Sequence, residues 1–304
     1  MHQPDPLPPP GRTRAESDEP AADWPALRAA RAHDPSARVP FEIAGETVGS
    51  VARQHLSALQ PFAPALRIEG HRVRLQVAAG ERTDTLAQIN HRLRASGLIK
   101  AWRDEPYALP GATGRDSLTT IERAASRFWG TLTFGAHATG YVSDASGRPD
   151  GLWIAQRAFD KATDPGKFDN LIGGGVPIGQ SPLQALQREA WEEAGLLPAQ
   201  LSDVRAGSVL RLRRDIAEGL QHEWLHCFDL AMPAGLRPHN QDGEVAVFEL
   251  LPLAQALQLA AGDTMTVDAA LVTLDFALRH RLLSIEESAR LTPRLAALRI
   301  DPGK

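Results

Sequence analysis

One stretch constrains this chain more than any other: GGGVPIGQSPLQALQREAWEEAGL, residues 173–196. It dictates a helix bounded at both ends. Ser181 is a good N-cap, Pro182 suits the first helical position, and Gln184 completes a capping-box pattern three residues after the serine. Gly195 is a natural residue just past the last turn, with Pro198 shortly beyond. Inside those bounds Glu189, Glu192 and Glu193 stand at i, i+3 and i+4 and share one helical face. Three like charges so placed repel one another and destabilise an isolated helix. A hard divalent cation offsets that repulsion, because Mg²⁺ takes oxygen ligands and keeps positions open for water and substrate phosphates. Arg188 can steady the cluster through an ion pair. Leu183, Leu186 and Ala190 supply the apolar face expected to dock the helix.

The rest of the chain narrows what such a helix can serve. At 304 residues there is chain for about two domains. Lys and Arg number 33 against 37 Asp and Glu, a formal net charge of −4. That balance argues against bulk attachment to nucleic acid or to an acidic membrane, either of which wants a basic surface. Cys227 is the single cysteine, so neither an intrachain disulfide nor a multi-cysteine zinc site can form. No apolar run reaches the ~20 residues of a bilayer span, and the N-terminus has no signal-like apolar segment. The expected compartment is the cytoplasm.

Composition divides the chain into three parts. Residues 1–23 carry prolines at 4, 6, 8, 9, 10 and 20 and read as a disordered Pro-rich tail. Residues 24–115 read as a small α+β domain, with a helix over 51–60 and a hairpin over 66–77 turning at Glu69-Gly70. A second helix covers 84–96, with Thr83 as cap and Gly97 past its end. LPGATGR, 109–115, reads as a connector. Residues 116–304 form the second domain. Two strands fall within 130–157, then the glycine run and helix 182–194. Strands follow at 206–213, 222–231 and 244–250, and helices at 252–261, 266–281 and 285–298. His137 is expected as a packed or surface strand histidine, Trp102 and Trp129 as core, and Cys227 as buried and inert.

The stretch 173–196 resembles the signature of the Nudix hydrolases, G-x5-E-x7-R-E-U-x-E-E-x-G-U, where U is bulky and apolar. Gly174 opens the box, Arg188-Glu189 and Glu192-Glu193 fill its centre, and Gly195-Leu196 closes it. Two positions depart: Gln180 replaces the first Glu and Ala190 a bulky residue. The resemblance implies an α/β fold, an α/β/α sandwich around a mixed sheet. It further implies hydrolysis of a diphosphate joined to another moiety, with Mg²⁺ or Mn²⁺ on the box helix. Glu192 and Glu193 are then metal ligands, and Glu189 a ligand or the group that orients the attacking water. Gly174, Arg188 and Gly195 shape the box. A loop carboxylate outside the box commonly serves as base, and Glu244 is the candidate here.

A narrower resemblance covers more of the chain. Arg157, Lys161, Pro165, Gly166, Asp169, Asn170, Gly174 and Gly175 match a pattern found in Nudix proteins similar to the Nudix part of certain thiamine pyrophosphokinase fusions. That group has an N-terminal domain ending in W-R-x-E-x-Y, here Trp102, Arg103, Glu105 and Tyr107. The resemblance implies thiamine diphosphate, or its oxidised forms, as substrate. Arg157, Lys161 and Lys167 are the cations expected to grip its phosphates. A nucleoside diphosphate sugar or dinucleotide, and a non-catalytic Nudix-fold binding module, stand as alternatives. The related isomerases use a cysteine near the start of the box, where this chain has GGG. The N-terminal domain could wall the pocket, shape a dimer or cover the sheet, and the sequence leaves these open.

Overall fold

The computed structural model describes residues 24–111 and 116–301, so the tail expected over 1–23 lies outside the described residues. The chain begins with Trp24, fully buried, and a short helix α1 (Pro25–Ala29). A hairpin follows, β1 (Arg38–Ile43) and β2 (Glu46–Ala52), turning at Ala44-Gly45, both in the left-handed region. The helix expected over 51–60 starts late. Val51 is buried in β2, and the helical part is two 3₁₀ turns around α2 (Leu56–Leu59). The second hairpin is as read, β3 (Leu66–Glu69) and β4 (Arg72–Leu75). These strands make one sheet in the order β2-β1-β4-β3, with β1 and β4 parallel.

Helix α3 (Arg82–Ala95) buries Leu86, Ile89 and Leu93 against that sheet. Its N-cap position is Glu81, not Thr83: a 3₁₀ turn over Ala79–Glu81 leads the chain in, and the Thr83 hydroxyl meets that of Thr119 at 2.8 Å. Strands β5 (Pro106–Pro110) and β6 (Ser117–Glu122) pair antiparallel, so Leu109 and Pro110 of the expected connector are strand, while its residues 112–115 lie outside the described residues. Helix α4 (Arg123–Trp129) follows, with the Glu122 carboxylate accepting from Ala124 N at 3.1 Å. One apolar core gathers residues from Val39 to Trp129, so it runs across the division expected at 115.

The second half is built on a mixed sheet. Strands β7 (Leu132–Ser143) and β8 (Pro149–Arg157) form its middle, with short β9 (Phe168–Asp169) and β10 (Ile172–Gly175) alongside. Helix α5 (Pro182–Ala194) comes next, then β11 (Arg205–Ile216), β12 (Gly219–Ala231) and β13 (Val245–Pro252). Helices α6 (Leu253–Ala260), α7 (Val267–Arg279) and α8 (Ile285–Ala296) and strand β14 (Arg299–Ile300) end the described chain. The strand order is β13-β8-β7-β12-β11-β14, with β7 and β12 parallel and their neighbours antiparallel.

Side chains alternate along each strand, which sends one set to each face. Leu152, Ile154, Leu225 and Cys227 face α6, α7 and α8, while Trp153, Phe228 and Leu230 face α5. This is the expected α/β/α sandwich. Trp24, Ala26, Leu27 and Ala30 also pack in the α7 core, so the start of the N-terminal unit is anchored in the second half.

Candidate active site

Helix α5 forms as its sequence dictates. Gln184 N donates to Ser181 Oγ at 3.2 Å, and Ser181 N donates to Gln184 Oε1 at 2.8 Å. Gly195 ends it with φ 65°, and an added Cβ there would meet His239 O and Gln241 Nε2 at 2.8 Å. Ala185, Leu186, Ala190 and Ala194 dock the helix, while Leu183 is exposed, unlike its expected role. The small Ala190 therefore suits a close approach. Against the helix lies the glycine strand β10. A Cβ on Gly174 would sit 2.2 Å from the Glu189 carboxyl carbon, and one on Gly175 would sit 1.6 Å from the Tyr107 hydroxyl. Both positions need glycine because carboxylate and phenol occupy the space of a side chain.

The three box glutamates separate in space. Glu189 and Glu193 are buried and line one cleft. Burial raises the Glu189 carboxyl above its ordinary range, against the charges of Arg188 and Arg123. Glu193 is pushed further up by burial and then by Glu189, although Lys161 and a 2.9 Å bond from Gly173 N oppose the shift. Glu192 points elsewhere: its side chain is 40% exposed, it pairs with Arg188 Nη1 at 2.7 Å, and it does not line the cleft. Arg188 also donates to Glu189 Oε1 at 2.8 Å and to the Gln180 amide oxygen at 3.5 Å.

Among the described residues, no three His, Cys, Asp or Glu side chains stand as a preformed cation cage. The donor set still fits a divalent ion. Two buried carboxylates, both raised by burial and Glu193 also by Glu189, face one cleft, and the missing Cβ of Gly174 leaves Glu189 its space.

The expected phosphate cations divide. Lys161 lies in the cleft, nearly buried, with its ammonium paired to Glu244 Oε2. Arg157 also lines the cleft, but each of its guanidinium nitrogens donates within the fold. Nε reaches Asp164 O at 3.2 Å, Nη1 Asp169 Oδ2 at 3.0 Å and Nη2 Thr163 O at 2.8 Å. It braces the 158–168 loop first. Lys167 pairs with Asp164 at 3.1 Å and is not part of the cleft wall. Glu244 is in the cleft as expected, just ahead of β13, held by Lys161 and by Arg103 Nη1 at 3.0 Å. Burial alone would raise its carboxyl, but the Lys161 and Arg103 contacts outweigh it and hold it below the ordinary range.

Most other residues of the wall carry no local signal. Lys100 and Arg103 reach the cleft from the N-terminal unit, and Arg123 and Arg127 from α4, which shares that unit's core, so the N-terminal core walls the pocket. Arg123 Nη1 meets Glu105 Oε2 at 2.9 Å, and Glu105 Oε1 lies 3.9 Å from Arg188. On the far side, Glu223 of β12 is half-buried and its carboxyl is raised by desolvation and by Asp268; Gln221 Nε2 bridges the two at 2.8 and 3.1 Å. His137 is buried in the wall, with Nδ1 3.3 Å from Asn170 Oδ1. Alternation along β12 and the W-R-x-E-x-Y motif were the only sequence signs of these groups. The arrangement places buried carboxylates opposite arginines and lysines, which suits an anion that brings a cation with it.

Both halves of the chain match known proteins. A family model described as NUDIX domain matches residues 133–269, and one described as Domain of unknown function (DUF4743) matches residues 25–133. The chain is 32% identical to Nudix hydrolase 24, chloroplastic, of Arabidopsis thaliana, over 83% of this chain and 70% of that one. It is 31% identical to Nudix hydrolase 20, chloroplastic, of the same plant, over 83% of this chain and 71% of that one. Among solved structures, DR0079 from Deinococcus radiodurans is similar with a TM-score of 0.44 and 22% identity, over 57% of this chain and 99% of that one.

Proposed function

Because this chain belongs to the Nudix hydrolase family and is a phosphoanhydride hydrolase, we propose that it cleaves an organic diphosphate to the monophosphate and inorganic phosphate. The proposed substrate is thiamine diphosphate or an oxidised form of it, and the proposed cofactor Mg²⁺ or Mn²⁺. The carrying observation is the pairing of two buried carboxylates, Glu189 and Glu193, with a wall of cations across one cleft. His137 is the only ring among the described residues of that wall, which supports recognition through the phosphate end.

Glu189 and Glu193 would hold the divalent ion, with Glu192 serving through Arg188. When bound, the ion neutralises phosphate oxygens and acidifies a water. Lys161, Arg123 and Arg127 balance the charge of the diphosphate. Glu244 is the proposed base: ion-paired and ionised in the free protein, it becomes more basic when an incoming phosphate draws Lys161 toward itself while Arg103 keeps its hold. Arg157 acts as the brace of the 158–168 loop. The proposed compartment is the cytoplasm, supported by the single, buried Cys227; no described helix is long and apolar enough to cross a membrane.

The test is product analysis with Mg²⁺ against thiamine diphosphate, its oxidised derivatives and ADP-ribose. Release of phosphate with highest kcat/KM on a thiamine compound is expected. A tenfold preference for ADP-ribose would overturn the thiamine assignment.

A further inference from the structure

The W-R-x-E-x-Y segment enters the hydrolase half of the molecule at three points. Arg103 Nη1 holds the Glu244 carboxylate at 3.0 Å. Glu105 joins Arg123 and approaches Arg188 of the box. The Tyr107 hydroxyl lies where a side chain on Gly175 would be, and Pro106 O accepts from Ile178 N at 3.1 Å. The backbone around Arg103 is fixed in an unusual path. Ala101 and Asp104 both have left-handed φ, 56° and 58°, a conformation that side chains beyond glycine adopt only where their surroundings enforce it. The enforcement is visible. One carboxylate, Glu122, accepts from both Arg103 N and Glu105 N at 3.0 Å. The Trp102 indole donates to Asp104 at 2.6 Å and packs under Arg94, 4.7 Å from its ring centre.

On the other side, the Glu244 backbone is held, its N donating to Asp242 Oδ1 at 2.8 Å and its O accepting from Ala158 N at 2.9 Å, so the freedom that is left belongs to its side chain. Asn240 and Asp242 side chains cap the turn before it, and the base of that loop is tied to the box helix through His239 N to Ala194 O and Gln241 N to Glu192 O. Only Lys161 and Arg103 reach the Glu244 carboxylate itself among the described hydrogen bonds and ion pairs. Lys161 rides on the 158–168 loop, whereas Arg103 comes from the fixed segment.

We propose that the N-terminal unit is a working part of the active site, and that Arg103 is the positioning residue that aims the Glu244 carboxylate. This rests on the reading of Glu244 as the base. A flexible carboxylate held from one side only samples many poses. A guanidinium on a rigid segment narrows them, and the effect appears in the chemical step rather than in substrate affinity.

The test compares full-length wild type, Arg103→Ala, Arg103→Gln and Arg103→Lys, each alone and with Glu244→Gln, on thiamine diphosphate with Mg²⁺. Hydrogen exchange of residues 240–246 is read in parallel. Arg103→Ala and Arg103→Gln should lower kcat tenfold or more with KM within threefold. Arg103→Lys should recover much of the loss. In the Glu244→Gln background the Arg103 changes should cost less than twofold, since their target is gone. Exchange over 240–246 should rise severalfold while α5 is unchanged. A rise in KM with kcat intact would make Arg103 a substrate contact and overturn the proposal. Equal losses in both backgrounds, or unchanged exchange in that loop, would overturn it as well. If wild type leaves thiamine diphosphate intact, or Glu244→Gln is fully active, the substrate or base assignment falls; the exchange comparison then decides the positioning role alone.

Discussion

Gly174 is where the smallest side chain in the cleft matters most. A methyl group there would occupy the place of the Glu189 carboxylate, 2.2 Å from its carbon. Gly174→Ala should therefore turn Glu189 away and lower kcat at least tenfold while the protein still melts cooperatively, measured by kinetics and thermal unfolding side by side. Glu189→Gln and Glu193→Gln should each lower kcat by roughly 10²-fold or more. Glu192→Gln, outside the cleft and acting through Arg188, should cost at least tenfold less. A pH effect follows from the same pair. Both buried carboxyls hold a proton more tightly in the fold than the ordinary 4.5 of a free chain. The metal-free fold thus loses stability as pH rises above about 4.5, and Mg²⁺ should raise Tm more at pH 8 than at pH 5. Sequence showed these carboxylates because their spacing is local. It could not show that Arg157 is occupied, because two of its partners, Thr163 O and Asp164 O, are backbone atoms with no signature of their own.

Elements were legible in proportion to how locally they are determined. Helix α5 carries its own caps, and its observed limits, Pro182–Ala194, follow them. The sequence predicts helix α3 with Thr83 as its cap, because a threonine caps well; the preceding 3₁₀ turn instead sets Glu81 at the N-cap and starts the helix at Arg82. The stretch 51–60 misled because Val51 and Ala52 are claimed by pairing with β1, a contact that no periodicity within the stretch reveals. Glu223 and Asp268 meet only because β12 and α7 pack, so no motif announces them. Helix α7 supplies an element-scale test. Asp275 is fully buried and receives Arg279 Nε at 2.7 Å, Arg299 at 3.1 Å and Ser208 N at 3.2 Å. Burial alone would raise its carboxyl, but Arg279 and Ser208 outweigh burial and hold it below 3.8. Its contribution is thus complete above the free-chain value and lost as pH falls through the lowered one. Asp275→Asn should cost about 3 kcal/mol, the range for a buried pair that loses one partner, and should flatten the acid limb of a stability–pH curve measured by denaturant unfolding.

At the scale of the molecule, two apolar cores account for the N-terminal unit's double attachment. One core spans Val39 to Trp129, and α1 belongs to the other, beneath α7. The composition of 109–115 suggests a linker, but Leu109 and Pro110 belong to β5 and pair with β6. Trp24 reads as a residue at the edge of order in the sequence and proves fully buried. Trp24→Ala should therefore destabilise the whole protein by about 3–5 kcal/mol, seen as a lower midpoint in urea, rather than fray one end. The same feature sets a schedule for synthesis on the ribosome. Trp24 and Leu27 emerge early, but the α7 residues they pack against, from Ala269 to Phe276, emerge roughly 240 residues later. At about 5–20 residues per second, the apolar face of α1 waits roughly ten to fifty seconds for its partner, a window in which a chaperone or a neighbouring chain competes for it.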